Sequence, residues 1–290
     1  MKKVRQAPPI GIHLSTAGGV FTAAERAHEV GASTFQIFTS SPRMWRAAKP
    51  QAEHCARMRQ LRELYGIAPA VVHASYLINM CSQNEDVLRK STIALRGEVE
   101  RALAIGAEFL VLHPGSWKGL SRDEGLERAA GAIEVAVEGL ALGDDCGFRL
   151  LIENTAGSEY SLGGSFDQVA ELIERLRQHL PVGACLDTCH THVSGYDIVS
   201  AEGYEETIGK AAATIGLGNV RVWHMNDAKA PRGSKLDRHE HIGDGLIGAE
   251  PFRRLLHDKR FAHCAFIAET PVDTPGDIEK NVRALLELAR

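Results

Sequence analysis

The chain has no run of 18 consecutive apolar residues, so no segment reads as a transmembrane helix. It lacks a CxxC pair as well. Its six cysteines (Cys55, Cys81, Cys146, Cys185, Cys189 and Cys264) are dispersed, which fits buried thiols in a reducing compartment better than a disulfide framework or a cysteine-rich zinc site. There is no GxSxG elbow and no GxxxxGK(S/T) loop, which removes the common serine hydrolases and P-loop NTPases. Serine/glycine linkers and low-complexity tracts are missing, and residues 1–290 are expected to form one domain. Lys2, Lys3 and Arg5 are followed by Ala7-Pro8-Pro9 and a strand-like IGIHL, not by an apolar leader core. A cytoplasmic protein without a secretion signal is therefore expected.

An excess of basic charge is missing too: 33 Lys and Arg stand against 37 Asp and Glu, a net charge of −4. A nonspecific nucleic-acid binder would ordinarily present a basic surface. Three bound divalent ions would nevertheless turn −4 into +2, with the new charge concentrated where a phosphate would sit, so net charge excludes little.

What is present is a repeated pattern. Six short apolar runs end on a residue of metal-ligand type: VVHA at His73, LVLH at His113, LLIE at Glu153, ACLD at Asp187, VRVWH at His224 and FIAE at Glu269. The gaps are 40, 40, 34, 37 and 45 residues, each about one strand-loop-helix unit. Strands are expected at 10–14, 34–38, 70–73, 109–113, 149–153, 182–187, 220–224 and 265–269, with helical periodicity at 20–30, 52–65, 87–105, 126–142, 166–176 and 278–288. Gly31, Gly66, Gly106 and Gly147 are placed to close helices. Eight such units predict an α/β fold, a single-domain TIM (β/α)8 barrel with right-handed crossovers. A doubly wound open sheet is the alternative, but no topological switch point is visible.

In a barrel the chemistry lies at the C-terminal ends of the strands. There the loops that follow the strands are expected to add His190 and His192 of DTCHTH, and Asp237, His239 and His241 of DRHEH, to the six residues above. His73, His113, Glu153, Asp187, His190, His224, Asp237, His239 and Glu269 form the candidate ligand set. Five imidazoles and four carboxylates suit zinc or manganese, and nine donors imply two or three ions. Taken singly, each could merely hydrogen-bond a turn; together, buried carboxylates require cations. His28, His54, His179 and His257 read as solvated helical residues, and His13, His192 and His241 as possible donors to the ligands. Gly243-Asp-Gly245-Leu-Ile-Gly248 matches GxGxxG but follows the charged DRHEH segment, not a strand, so it is not a dinucleotide fingerprint. Metal-activated water is the expected nucleophile.

HASYLINM from His73, LHPGS from Leu112, LIENTAG from Leu151, CLDTCHTH from Cys185, HMNDAK from His224, LDRHEHIGDGLIG from Leu236 and AET at Ala268 resemble the endonuclease IV family of apurinic/apyrimidinic endonucleases. IGIHLSTAGG and FTSSPRMWRA at the N-terminal end are similar as well. The resemblance implies a barrel with three Zn2+ ions, Mn2+ being admissible at one site. Its activity would be cleavage of double-stranded DNA 5′ to an abasic site, leaving a 3′-hydroxyl, with removal of 3′-blocking groups. His73 and His113 would hold one zinc, with Glu153 bridging to a second. Asp187, His224 and Glu269 would complete the second site, and His190, Asp237 and His239 would hold the third. Glu153 and Glu269 would be the catalytic carboxylates, Glu269 also orienting water. Arg43 and Tyr76 would enter the opened duplex, with Trp45, Arg46 and Lys49 extending that surface, and a monomer is implied. Ser41-Pro42 departs from some relatives and leaves the path of that loop open. Lys229, Arg232, Lys235 and Arg238 form a second basic stretch suited to phosphate. Two rivals remain: a divalent-metal sugar isomerase or epimerase on the same barrel, and a noncatalytic DNA-binding protein with structural zinc.

Overall fold

A computed structural model describes residues 8–45 and 49–290, so Lys2, Lys3, Arg5 and Arg46 lie outside the described residues. Eight parallel strands form a barrel: β1 (Ile10–Leu14), β2 (Thr34–Ile37), β3 (Ala70–His73), β4 (Phe109–Leu112), β5 (Arg149–Glu153), β6 (Val182–Asp187), β7 (Val220–His224) and, after a small ribbon, β10 (Ala265–Ala268). They close in the order β1-β10-β7-β6-β5-β4-β3-β2, which excludes the open doubly wound sheet. The ribbon, β8 (Asp227–Ala228) antiparallel to β9 (His239–Glu240), is built into the segment after β7.

The helices α1 (Thr22–Glu29), α2 (Ala52–Tyr65), α3 (Glu85–Ile105), α4 (Arg122–Val137), α5 (Phe166–Leu176), α7 (Ala201–Thr214), α8 (Ala249–His257) and α9 (Asp277–Leu288) surround the barrel. A short α6 (Thr188–Ser194) starts directly from the end of β6. Gly66 and Gly106 cap α2 and α3 in the left-handed conformation, as the sequence predicts. Two expectations need correction. Helix α4 ends at Val137, not at residue 142, because Gly139 takes φ 74°; Gly147 instead closes a single 3-10 turn, Asp144–Cys146. The DTCHTH segment is not a loop. Asp187 caps α6, its Oδ1 accepting from His190 N at 2.8 Å, so His190 projects from a first helical turn.

Along each strand side chains alternate between the barrel interior and the helices. Val71, Val111, Leu151, Cys185, Val222, Ala265 and Ile267 pack together inside the barrel as a closed apolar cluster. Two residues beyond Val71, Val111, Leu151, Cys185, Val222 and Ile267 stand His73, His113, Glu153, Asp187, His224 and Glu269. β4 and β10 end one residue before His113 and Glu269, so these two sit at the first loop position. No helix among the described residues is long and apolar enough to cross a membrane.

Candidate metal centre

The six strand-end residues and the three from α6 and the ribbon segment converge on one polar pit above the apolar cluster. Glu153 is its centre and is fully buried. Its Oε2 lies 3.3 Å from His73 Nε2 and 2.8 Å from His113 Nε2, while its Oε1 lies 2.9 Å from His224 Nδ1. His224 Nδ1 is also 3.2 Å from Glu269 Oε2 and 3.9 Å from Asp187 Oδ2. On the rim side, Asp237 joins His190 Nε2 at 3.2 Å and His239 Nε2 at 3.0 Å. All nine predicted ligands are therefore in one constellation. It contains three donor groups whose ligand atoms lie within 4.8 Å of one another: His73/His113/Glu153, Glu153/Asp187/His224/Glu269 and Asp187/His190/His239.

Backbone carbonyls orient three of the rings. His73 Nδ1 meets Ala74 O at 2.7 Å, His190 Nδ1 meets Asn154 O at 2.9 Å and His239 Nδ1 meets Glu269 O at 3.0 Å. A carbonyl only accepts, so each Nδ1 carries the proton and each Nε2 is left to face the carboxylates. His224 is turned the other way: its Nε2 meets Gln36 Oε1 at 2.8 Å and its Nδ1 faces Glu153.

The electrostatics are those of mutually compensating buried charges. Burial opposes the charge on Glu153, but His113 and His224 beside it hold its carboxyl well below the usual carboxylate range. Burial likewise opposes ionisation of Glu269, which His224 and His73 bring down to about 2. For His239 burial disfavours the cation, yet the carboxylates of Asp237 and Asp187 raise it to about 9. Without cations several carboxylates would be drawn into a dry pit, at an effective cost of several kcal/mol per ion. The donor set fits divalent metal on a second count: the buried His239 Nε2 faces the Asp237 carboxylate at 3.0 Å, where a metal ion can take the place of its proton. Cys185 and Cys189 also approach the set, and in the absence of metal burial pushes both thiols up to about 12.

The rim carries the predicted contact residues. Tyr76 is 63% exposed and packs edge-on to Phe38, 5.3 Å from His73 between ring centroids. Arg43 is exposed on a turn of the β2–α2 loop, and Trp45 beside it is half-buried. That loop is tied down at two points. Ser75 Oγ donates to Pro42 O at 2.8 Å, and Thr39 Oγ1 donates to Glu98 Oε2 at 2.6 Å, Glu98 being paired with Arg101 in a buried salt bridge of α3. A cleft of about 350 Å³ opens over the pit, lined by Tyr76, Asn79, His113, His190, Lys235 and Asp237 among others. Of the second basic stretch, Lys235 faces this cleft from a left-handed backbone (φ 59°), Arg232 is paired with Asp197 at 2.7 Å and Lys229 lies 3.7 Å from Glu240.

Several supporting residues escaped the sequence reading. Gln36, Asn154 and Asn226 are buried amides beneath the ligands. Asn226 Nδ2 donates to Asp187 Oδ2 at 2.5 Å while its Oδ1 accepts from Glu269 N at 2.7 Å, and Asn154 Oδ1 accepts from Asp187 N at 2.7 Å. Asp227 explains GDGLIG: its carboxylate accepts from the backbone N–H of Gly243 (3.0 Å), Gly245 (3.1 Å), Ile247 (2.9 Å) and Gly248 (3.2 Å). A Cβ at Gly245 would stand 2.5 Å from that carboxylate, so the glycine permits the wrap. These amides are therefore already occupied and do not cradle a phosphate. Among the three histidines considered as donors, only His13 reaches the pit, 3.9 Å from Glu269; His192 has neither ring nitrogen bonded and His241 turns to Asn281. Of the four read as solvated and helical, His179 lies just beyond α5, His54 is half-buried against Phe21 and His257 is half-buried against Leu288 O. A signal for Gln36 did exist. It occupies an inward-facing strand position like the ligands, but amides are not ligand-type residues and the pattern passed over it.

A family profile described as a xylose isomerase-like TIM barrel matches residues 24–290. A probable endonuclease 4 of Solibacter usitatus is 45% identical over 282 residues, covering 97% of this chain and 96% of that protein. The crystal structure of endonuclease IV from Thermus thermophilus superposes with a TM-score of 0.86 at 36% identity, covering 97% and 98% of the two chains. A D-tagatose 3-epimerase-like protein shares the fold, with a TM-score of 0.70 at 20% identity and coverage of 97% and 98%.

Proposed function

The chain belongs to the endonuclease IV family, and on that premise we propose that it is a DNA-repair apurinic/apyrimidinic endonuclease. It hydrolyses the phosphodiester 5′ to an abasic site in double-stranded DNA, leaving a 3′-hydroxyl and a 5′-deoxyribose phosphate, and also clears blocked 3′ ends. The observation that supports this most is the buried nine-donor constellation centred on Glu153, lying under a rim with an exposed Tyr76, Arg43 and Lys235. A sugar epimerase reading has only the barrel in common with its neighbours, and a structural-zinc protein would close each ion with four ligands and need no open cleft.

Three Zn2+ ions are proposed, with Mn2+ admissible at one site. His73 and His113 would hold one, Asp187, His224 and Glu269 a second, with Glu153 shared between the first two, and His190 and His239, joined through Asp237, would hold the third with it. When bound, the ions supply Lewis-acid charge that lowers the pKa of water and offsets charge on phosphate oxygens. The chain's own groups do the rest. Glu153 and Glu269, both ionised, face the pit, and Glu269 would accept a hydrogen bond from the attacking water. The water oxygen bonds to phosphorus as the P–O3′ bond breaks, and the departing 3′-oxygen takes up a proton. Tyr76 and Arg43 would fill the gap left by the missing base, and Lys235, which lines the cleft with Tyr76, would hold a flanking phosphate. A monomer working in the cytoplasm is part of the proposal.

The test is incision of a duplex carrying one tetrahydrofuran abasic analogue by zinc-loaded protein in EDTA buffer. Cleavage directly 5′ to the analogue with a 3′-hydroxyl is the expected result, since the analogue cannot undergo β-elimination. Intact DNA with protein shown to hold its metals would overturn the assignment and favour the sugar isomerase.

A further inference from the structure

Gln36 lies on β2, fully buried, and every polar atom of its side chain is engaged. Its Oε1 is 2.8 Å from His224 Nε2. Its Nε2 is 2.5 Å from Glu269 Oε1 and 3.2 Å from His13 Nδ1. A carboxylate only accepts hydrogen bonds, so the atom facing Glu269 must be the amide NH2 and the flipped orientation is excluded. The amide oxygen then faces His224, and that ring nitrogen must bear the hydrogen. Nε2–H is thereby fixed on Gln36, and it is Nδ1, which points at Glu153, Glu269 and Asp187, that can give up its proton to a metal. Among the five ligand histidines, three have Nδ1–H held by backbone carbonyls; His224 alone is shown turned to bind through Nδ1, with a side chain instead of a carbonyl setting its tautomer.

From this geometry we infer that Gln36 is the positioning residue of the Glu153/Asp187/His224/Glu269 site: one amide sets the tautomer of His224 and the rotamer of Glu269 together. The inference rests on the metal reading of the pit. Among the described residues the Gln36 side chain hydrogen-bonds to His224, Glu269 and His13, so its effect is expected on the metal it helps to hold and on turnover.

The test compares zinc-loaded wild type with Gln36→Met, which removes both bonds at similar length, and Gln36→Glu, which still accepts from His224 but sets an oxygen against Glu269. Partners of this kind are worth about 10–100-fold in metal affinity or activity. The expected result is that Gln36→Met loses one of its zinc ions to a chelator at least about 10-fold faster than wild type and lowers kcat with DNA affinity unchanged. Nitrogen-15 NMR of labelled histidine in the three zinc-loaded proteins should show the His224 Nε2–H protected from solvent exchange in wild type and Gln36→Glu, and exchanging faster in Gln36→Met, where it has lost its acceptor. Wild-type zinc release and a wild-type histidine spectrum in both variants would overturn the role of Gln36 while leaving the metal reading intact. A wild-type protein that binds no zinc would remove the metal reading and this inference with it. If Gln36→Met fails to fold, Gln36→Glu still decides, since its freed Glu269 should speed zinc release with the His224 tautomer kept.

Discussion

The interior of this barrel has two layers made from the same strands, and they differ in almost every physical respect. The lower layer, Val71, Val111, Leu151, Cys185, Val222, Ala265 and Ile267, is apolar and closed. The upper one, two residues further along, is a pit of imidazoles and carboxylates bonded to one another and to buried amides. One step of the strand period separates a layer that contributes stability by excluding water from one that would be destabilising unless its charges were compensated. The lower layer makes the upper one possible, because it seals the bottom of the pit and restricts the ligands to one approach, from the cleft at the mouth.

The sharpest way to break that comparison is to alter each layer on the same strand. Glu153→Ala should release metal from two sites and lower incision more than about 100-fold, read by elemental analysis beside the gel assay, since two ions lose a shared carboxylate. Full metal with normal turnover would show that Glu153 is not the shared ligand. Leu151→Ala should do the reverse: about 2–5 kcal/mol of stability lost in denaturant unfolding, with metal stoichiometry and turnover kept in the folded protein.

A subtler difference concerns pH. His239 has its pKa raised to about 9 in the metal-free protein, so its protonated form contributes stability fully below about 6.5 that is lost as pH rises through 9. Metal must displace that proton, so zinc affinity should climb over the same interval. Melting temperatures of metal-free protein should fall between pH 6.5 and 9 while the zinc-loaded protein shows no such fall; parallel curves would remove His239 from the ligand set. The smallest effect is expected at the rim. Lys235→Ala should weaken DNA binding and reduce the salt slope by about 1, and Arg232→Ala by less, because Arg232 is already paired with Asp197. An unchanged slope in both would take this loop out of the interface.

Much of this was legible in the chain itself. The strand limits agree with the periodicity to within one residue, and all nine ligands predicted from apolar runs and the DTCHTH and DRHEH segments meet in one pit. The errors have physical causes. Helix α6 was hidden because DTCHTH has no apolar period of its own and depends on Asp187 as its cap. The fate of GDGLIG could not be read without Asp227, which arrives from another turn of the chain to fill its amides. Gln36 was passed over because a glutamine at a strand end has no distinctive chemistry until its neighbours are known.

By itself, then, the sequence determined the layering: alternation along a strand is a local property, so a buried run that ends on His, Glu or Asp announces both its inward face and its level in the barrel. What only the tertiary structure decided was which atom of each side chain faces which partner. Gln36 and His224 are 188 residues apart, and the tautomer that one imposes on the other exists only because the barrel closes and brings β2 across from β7.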